Sequence, residues 1–164
     1  MNTLVRTALA SDMDALIALS RRTISASYRL FLGDEAVDAF LGSGAVDRYV
    51  ADNIGRCSVL VRDREIVGYS VCQDNVIDLM MIDHAVHRQG LGSALLRQIE
   101  QTLLQKYDEL RLESFENNEK ANAFYRKNGW RELRRYLDRD LGVNKVVFQK
   151  LASAGGPAAC EQAK

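Results

Sequence analysis

The chain has 164 residues, 47% of them hydrophobic, with 22 basic and 22 acidic side chains. That length and apolar content suit one globular domain with its own core, and a net charge of zero supplies no overall field for nucleic acid or an anionic membrane. Cys57, Cys72 and Cys160 are odd in number and widely spaced, with no C-x-x-C pair, which argues against a disulfide framework or a metal site.

The opening MNTLVRTALASDMD has no uninterrupted apolar stretch, and no run approaches the roughly 20 apolar residues that span a bilayer. The expectation is a cytoplasmic protein with no membrane partner. Residues 4–8 read as a first strand. Ser11-Asp12 then offers an N-cap to a helix carrying Met13, Leu16, Ile17 and Leu19 and ending near Ser25. Between Tyr28 and Ile54, apolar residues at helical spacing are broken at Gly33, Gly42 and Gly44, which predicts two short helices.

From Cys57 the period changes. CSVLVRDREIVGYSVC holds two apolar runs around Asp63-Arg64, a hairpin signal, and residues 75–83 follow as the third strand of an antiparallel meander. Strict alternation on that strand places Val76, Asp78, Met80 and Ile82 on one face, with Ile77, Leu79 and Met81 on the other. Both sets are largely apolar, as for a central strand covered on both sides.

The next stretch is HAVHRQGLGSALL, a glycine-containing turn opening a helix with Leu91, Leu95, Ile99 and Leu103 on one stripe and Arg97, Glu100, Gln101 and Gln105 outside it. A strand feeding such a turn leaves unpaired backbone N–H groups at the positive end of a helix dipole, a place that suits phosphate. Gly90 and Gly92 lack a Cβ, which allows close approach of an anion and unusual turn geometry. Two familiar phosphate motifs fail here. A G-x-G-x-x-G fingerprint begun at Gly90 meets Leu95, and the chain contains no Gly-Lys dipeptide for a P-loop.

Residues 109–115 form another strand, so strand, loop, helix and strand make a crossover with parallel strands and a mixed sheet. Asn117-Asn118 caps a helix over residues 119–127 that stops at Asn128-Gly129. WRELRRYL and NKVVFQKL are the last two strands, joined by a turn around residues 138–142. The composition after Leu151, ASAGGPAACEQAK, predicts a domain over residues 1–151 and a disordered tail over 152–164.

His87-Arg88-Gln89-Gly90-Leu91-Gly92 resembles the acyl-CoA loop of the GNAT superfamily of N-acetyltransferases, Gln/Arg-x-x-Gly-x-Gly/Ala, with His87 at the Gln/Arg position. At the proper distance after it, Asn118-x-x-Ala121-x-x-Phe124-Tyr125-x-x-x-Gly129-Trp130 resembles a second pattern of that family. Two motifs in order are far more specific than one. The resemblance covers about residues 1–151 and implies an α+β (mixed α/β) fold: a splayed, mixed, mostly antiparallel sheet with helices on both faces.

The resemblance further implies acetyl-CoA as co-substrate, no metal, and transfer of its acetyl group to a primary amine of a small molecule or a peptide. The amides from Arg88 to Ser93, that is Arg88, Gln89, Gly90, Leu91, Gly92 and Ser93, would hold the pyrophosphate with His87 nearby, and Asn118 and Tyr125 would contribute to the same site. A bulge around Met81 to Ile82 would present the oxyanion donor, and Tyr125 would return a proton to the thiolate. Leu112-Glu113 resembles a segment of members that acetylate ribosomal-protein and peptide N-termini, where the glutamate is the general base; Asp78 competes for that role. The family admits a homodimer. The alternative from another class is a non-catalytic acyl-CoA-binding regulatory module on the same fold.

Overall fold

The structure, a computed structural model, describes residues 2–153. The predicted tail and Cys160 lie outside the described residues, apart from Ala152 and Ser153. Among the described residues, seven strands form a single sheet in the order β1-β2-β3-β4-β5-β7-β6, comprising β1 (Thr3–Thr7), β2 (Cys57–Arg62), β3 (Glu65–Gln73), β4 (Val76–Ile82), β5 (Glu109–Phe115), β6 (Arg131–Asp138) and β7 (Val143–Leu151). Every neighbouring pair is antiparallel except β4 and β5, which are parallel, as the crossover requires. The expected mixed, mostly antiparallel sheet is therefore the fold observed.

Helices cover the sheet from two sides. On one, α1 (Met13–Ser27), α2 (Arg29–Leu32), α3 (Asp34–Gly42) and α4 (Ala45–Asn53) surround a core in which Leu16, Leu19, Val37 and Val50 meet Val59 and Tyr69 of the sheet. On the other, α5 (Leu91–Leu103) and α6 (Glu119–Lys127) bury Leu95, Ile99 and Trp130 against Leu60, Leu110 and Phe148. The predicted stripe on α5 faces this core with Leu91, Leu95 and Ile99 buried and Leu103 at its margin. Glu100 departs from the outer position expected of it. It accepts from Trp130 Nε1 at 2.7 Å and pairs with Lys150 at 2.8 Å, tying α5 to the far half of the sheet.

Several local readings are corrected. The segment after Tyr28 forms three helices, not two, because Gly33 and Gly44 both take left-handed φ (85° and 73°) and break the chain at those points. Asp12 does not cap α1 through its side chain. It turns back to accept from the N–H of Leu9 at 2.8 Å and to pair with Arg6 at 2.7 Å, closing a short 3-10 turn ahead of α1. The β2–β3 hairpin turns at Asp63-Arg64 as anticipated, with both residues at positive φ, the geometry that matches strand twist in two-residue loops.

The largest correction concerns β4. Val71 pairs with Leu79 but Cys72 pairs with Ile77, so Asp78 is an extra, bulged residue. The bulge switches the alternation. Ile77 packs with Leu60 and Leu95 on the α5 side, whereas Leu79 and Met81 pack on the α1 side, and Met80 and Ile82 return to the α5 side. Beyond the bulge β4 also parts from β5. Only Val76–Arg111 and Ile77–Leu112 are paired, and the strands then diverge into a cleft.

Gly68 of β3 sets the far end of β4. A Cβ there would lie 2.5 Å from Ile82 Cδ1 and 2.9 Å from the Met81 carbonyl oxygen, so only glycine lets the two strands close at that point. Cys57 and Cys72 are free thiols, both pushed up to about 11 by burial, consistent with their reading as small apolar fillers.

Candidate active site

The cleft between β4 and β5 opens into a cavity of about 600 Å³. Its walls bring together Asp78 of β4, Glu113 of β5, Asn118 and Tyr125 around α6, and Tyr28 and Tyr49 from the α1–α4 layer. Residues far apart in the chain converge here because the parallel pair separates after two residues and leaves both strand edges unfilled.

The loop entering α5 stands at the end of β4. Asp83, buried at the strand terminus, accepts from Ala85 N–H at 3.1 Å and from Arg22 Nε at 2.9 Å; the Arg22 guanidinium holds its carboxyl below the usual range. After a 3-10 turn (His84–Val86), Arg88 and Gly90 take positive φ of 63° and 77°. Among the described residues, no hydrogen bond takes the N–H groups of Arg88, Gln89, Gly90, Leu91, Gly92 or Ser93; the first intrahelical bond runs from Ala94 to Gly90 O at 3.1 Å. Six consecutive amides thus stand free of partners at the positive end of a 13-residue helix, a geometry that suits an anion.

The two glycines divide the work differently from the sequence reading. Gly90 supplies the left-handed φ, with nothing within 4 Å of its absent Cβ. Gly92 does not open the main chain to an anion through its missing side chain. Its Cβ direction faces Phe124 at 3.4 Å and Ile82 at 3.7 Å, so a methyl group there would make ordinary contacts with α6 and β4. His87 points back to the strand end, with Nε2 2.8 Å from the Ile82 carbonyl oxygen, and its ring lies 5.4 Å from that of His84. Arg62 Nη1 donates to Gln89 Oε1 at 2.5 Å, fixing the loop to β2.

For the oxyanion donor expected at a bulge around Met81 to Ile82, the position of the bulge and the part of Met81 are corrected, while the Ile82 amide stays on the open side. The bulge is at Asp78, and Asp83 N–H donates to Val67 O at 2.8 Å. Amides alternate sides along a strand, so the Met81 N–H points to β3 while those of Met80 and Ile82 point to the open side. Met81 thus contributes its side chain to the α1-side core, and its amide is not available to a ligand.

Tyr125 sits at the floor of the cavity, packed against Phe124, Trp130 and Phe148 with ring centroids 5.3, 6.2 and 5.6 Å away. No hydrogen bond within the described residues engages its hydroxyl, and burial raises the phenol above its ordinary range, so it stays protonated at neutral pH. Asn118 caps α6 through its Oδ1, which accepts from Ala121 N–H at 3.3 Å. Glu113 is exposed on the cavity wall, where it accepts from Tyr136 Oη at 2.8 Å and lies 3.7 Å from Lys145 Nζ. Asp78 instead accepts from the Tyr49 hydroxyl.

Tyr28 and Tyr49 line the cavity and Tyr136 donates to Glu113; the sequence did not single out these three tyrosines. Tyr28 packs with Phe31 and Phe115 (centroids 5.0 and 6.2 Å), and Phe115 lines both the main cavity and a smaller one of about 210 Å³. Their signal is faint, because a tyrosine in an amphipathic segment reads the same whether it faces a core or a cleft. Among the described residues no group of three or more His, Cys, Asp or Glu side chains could hold a metal ion, and no helix is long and apolar enough to cross a membrane.

The family model for an acetyltransferase (GNAT) domain matches residues 53–132, a span that contains β2 through α6. No curated protein matches the chain. Among solved structures, PaiA N-acetyltransferase from Thermoplasma acidophilum in complex with coenzyme A shares 18% identity at a TM-score of 0.76, covering 93% of this chain and 100% of that one. The apo form of YjaB from Escherichia coli gives 22% and 0.74, with 91% and 97% covered. The ribosomal-protein-S18-alanine N-acetyltransferase from Escherichia coli gives 20% and 0.70, with 94% and 97% covered. Residues 53–132 therefore form a GNAT acetyltransferase domain, and that span holds the splayed β4–β5 pair and the unpaired amides at the head of α5.

Proposed function

We propose that the protein, through one domain over residues 1–151, transfers the acetyl group of acetyl-CoA to a primary amine of a small molecule or a peptide N-terminus. The observation that carries this reading is a run of six acceptor-free amides at the head of α5 in the same domain as a splayed cleft lined by the buried Tyr125. The likeness in fold to a coenzyme A complex supports the choice of co-substrate.

An alkylammonium has an ordinary pKa near 10.4, so it must shed a proton before its nitrogen can attack. Glu113, open to the cavity, takes that proton directly or through water. As the nitrogen bonds to the thioester carbonyl carbon, the N–H groups on the open side of β4, those of Met80 and Ile82, stabilise the oxyanion. The C–S bond then breaks, and the Tyr125 hydroxyl protonates the departing thiolate. Backbone amides of Arg88 through Ser93 hold the diphosphate throughout, and Asn118 fixes the start of α6, the helix that carries Tyr125. The Glu113 assignment and the fold shared with an S18-alanine acetyltransferase together favour peptide N-termini among the amines.

A screen for thiol release from acetyl-CoA over alkylamines, polyamines, amino acids and N-terminal peptides tests the reading. Release that requires a particular amine supports it. Coenzyme A binding with no release over the whole panel would replace it with a non-catalytic acyl-CoA-binding module.

A further inference from the structure

The charges on the cavity wall are arranged in a row. Glu113 of β5 pairs in register with Val147 of β7, and Val147 pairs with Arg134 of β6. Residues directly opposite on adjacent strands share a face. Two inter-strand spacings put the Glu113 and Arg134 Cα atoms about 10 Å apart. This register depends on a second bulge. Glu132 pairs with Phe148 and Arg134 with Val147, leaving Leu133 as the extra residue; without it, Leu133 would occupy the row and Arg134 would face α6. All three row residues line the cavity.

The other cations on this wall are committed. Lys145 pairs with Asp138 at 2.7 Å, and Arg111 pairs with Glu109. Arg134 has no carboxylate partner among the described residues, and its guanidinium lies 5.1 Å from the centroid of the Tyr136 ring. The same tyrosine donates to Glu113 at 2.8 Å, so one side chain holds both the stacked cation and the carboxylate. A planar guanidinium fixed by stacking presents its fork for two-point recognition of a carboxylate.

Resting on the amine-acetylation reading above, we infer that the acceptor carries a carboxylate as well as its reacting amine, with the amine at Glu113, the carboxylate on Arg134 and the intervening carbons over Val147. Such a carboxylate belongs either to a free amino acid or ω-amino acid, or to an acidic side chain beside a peptide N-terminus.

The test compares acetylated product, by mass, for matched acid and amide pairs: leucine with leucinamide, 4-aminobutyrate with 4-aminobutanamide, and Ala-Glu-Ala-amide with Ala-Gln-Ala-amide. At least one pair shows kcat/KM higher for the acid by about 10-fold or more, the scale of one charge-assisted contact. The pair that does so identifies the source of the carboxylate. R134Q brings the ratio to about 1, R134K retains part of it, and R134E inverts it, with coenzyme A binding serving to verify that each variant is folded. A ratio near 1 for every pair in the native protein, or a ratio that survives R134Q, overturns the inference alone. Absence of acetylated product from every amine overturns the amine-acetylation reading, and this inference with it.

Discussion

Ile77 and Leu79, two residues apart on one strand, lie in opposite cores of the protein. The bulged Asp78 between them changes which face each following residue occupies, and the same residue marks where β4 leaves β5. A single extra residue therefore both splits the strand between two cores and opens the cleft.

The buried Tyr125 hydroxyl has no hydrogen-bond partner among the described residues, so removing it leaves the packing of its ring intact. Tyr125→Phe is expected to lower kcat by about 10²-fold or more, the usual scale for a general acid. The dissociation constant for coenzyme A should stay within about twofold. Steady-state kinetics alongside calorimetry checks both, and unchanged kcat removes Tyr125 from proton transfer.

Glu113→Gln should lower kcat by about 10²-fold, the usual scale for a general base, with coenzyme A binding kept within about twofold. Asp78→Asn, at a carboxylate already engaged by Tyr49, should leave kcat near native. The reverse pattern in steady-state kinetics of the two variants would transfer the role to Asp78.

At Gly90 φ is 77°, whereas a Cβ on Gly92 would make only ordinary contacts at 3.4 Å or more. Gly90→Ala should destabilise the fold by about 1–2 kcal/mol and weaken coenzyme A binding, because a left-handed alanine is strained and distorts the amide cluster. Gly92→Ala should keep both stability and affinity near native. Thermal melts and coenzyme A titrations decide, and equal behaviour of the two variants would refute the division of roles.

Asp83 anchors the loop through Arg22 and the N–H of Ala85. Its carboxyl is held below the ordinary range, chiefly by the Arg22 hydrogen bonds, so its stabilisation is complete above the unfolded value near 3.9 and is lost as pH falls through the folded value. Asp83→Asn should cost about 1–2 kcal/mol at pH 7, a modest figure because half of the Arg22 side chain is exposed. Denaturant melts at pH 7 and pH 3 should show the gap between native and variant closing at the lower pH. A gap independent of pH would mean the carboxylate charge contributes nothing.

Local patterning was enough to read the order of the strands, the helices outside the Tyr28–Ile54 segment, the β2–β3 turn, the stripe on α5 and the stop at Gly129 (φ 84°), because each depends on neighbours within a turn or a strand. The run of free amides ahead of α5 was legible for the same reason: a turn that opens a helix exposes its own amides whatever surrounds it. What only the tertiary structure decided was register and convergence. The bulges at Asp78 and Leu133 come from how one strand meets the next, and nothing in the alternation of their residues announces them. The grouping of Tyr28, Tyr49 and Tyr136 around Glu113 and Asp78 likewise depends on chain segments dozens of residues apart. Local sequence settles which amides are free; long-range pairing settles which side chains face them across the cleft.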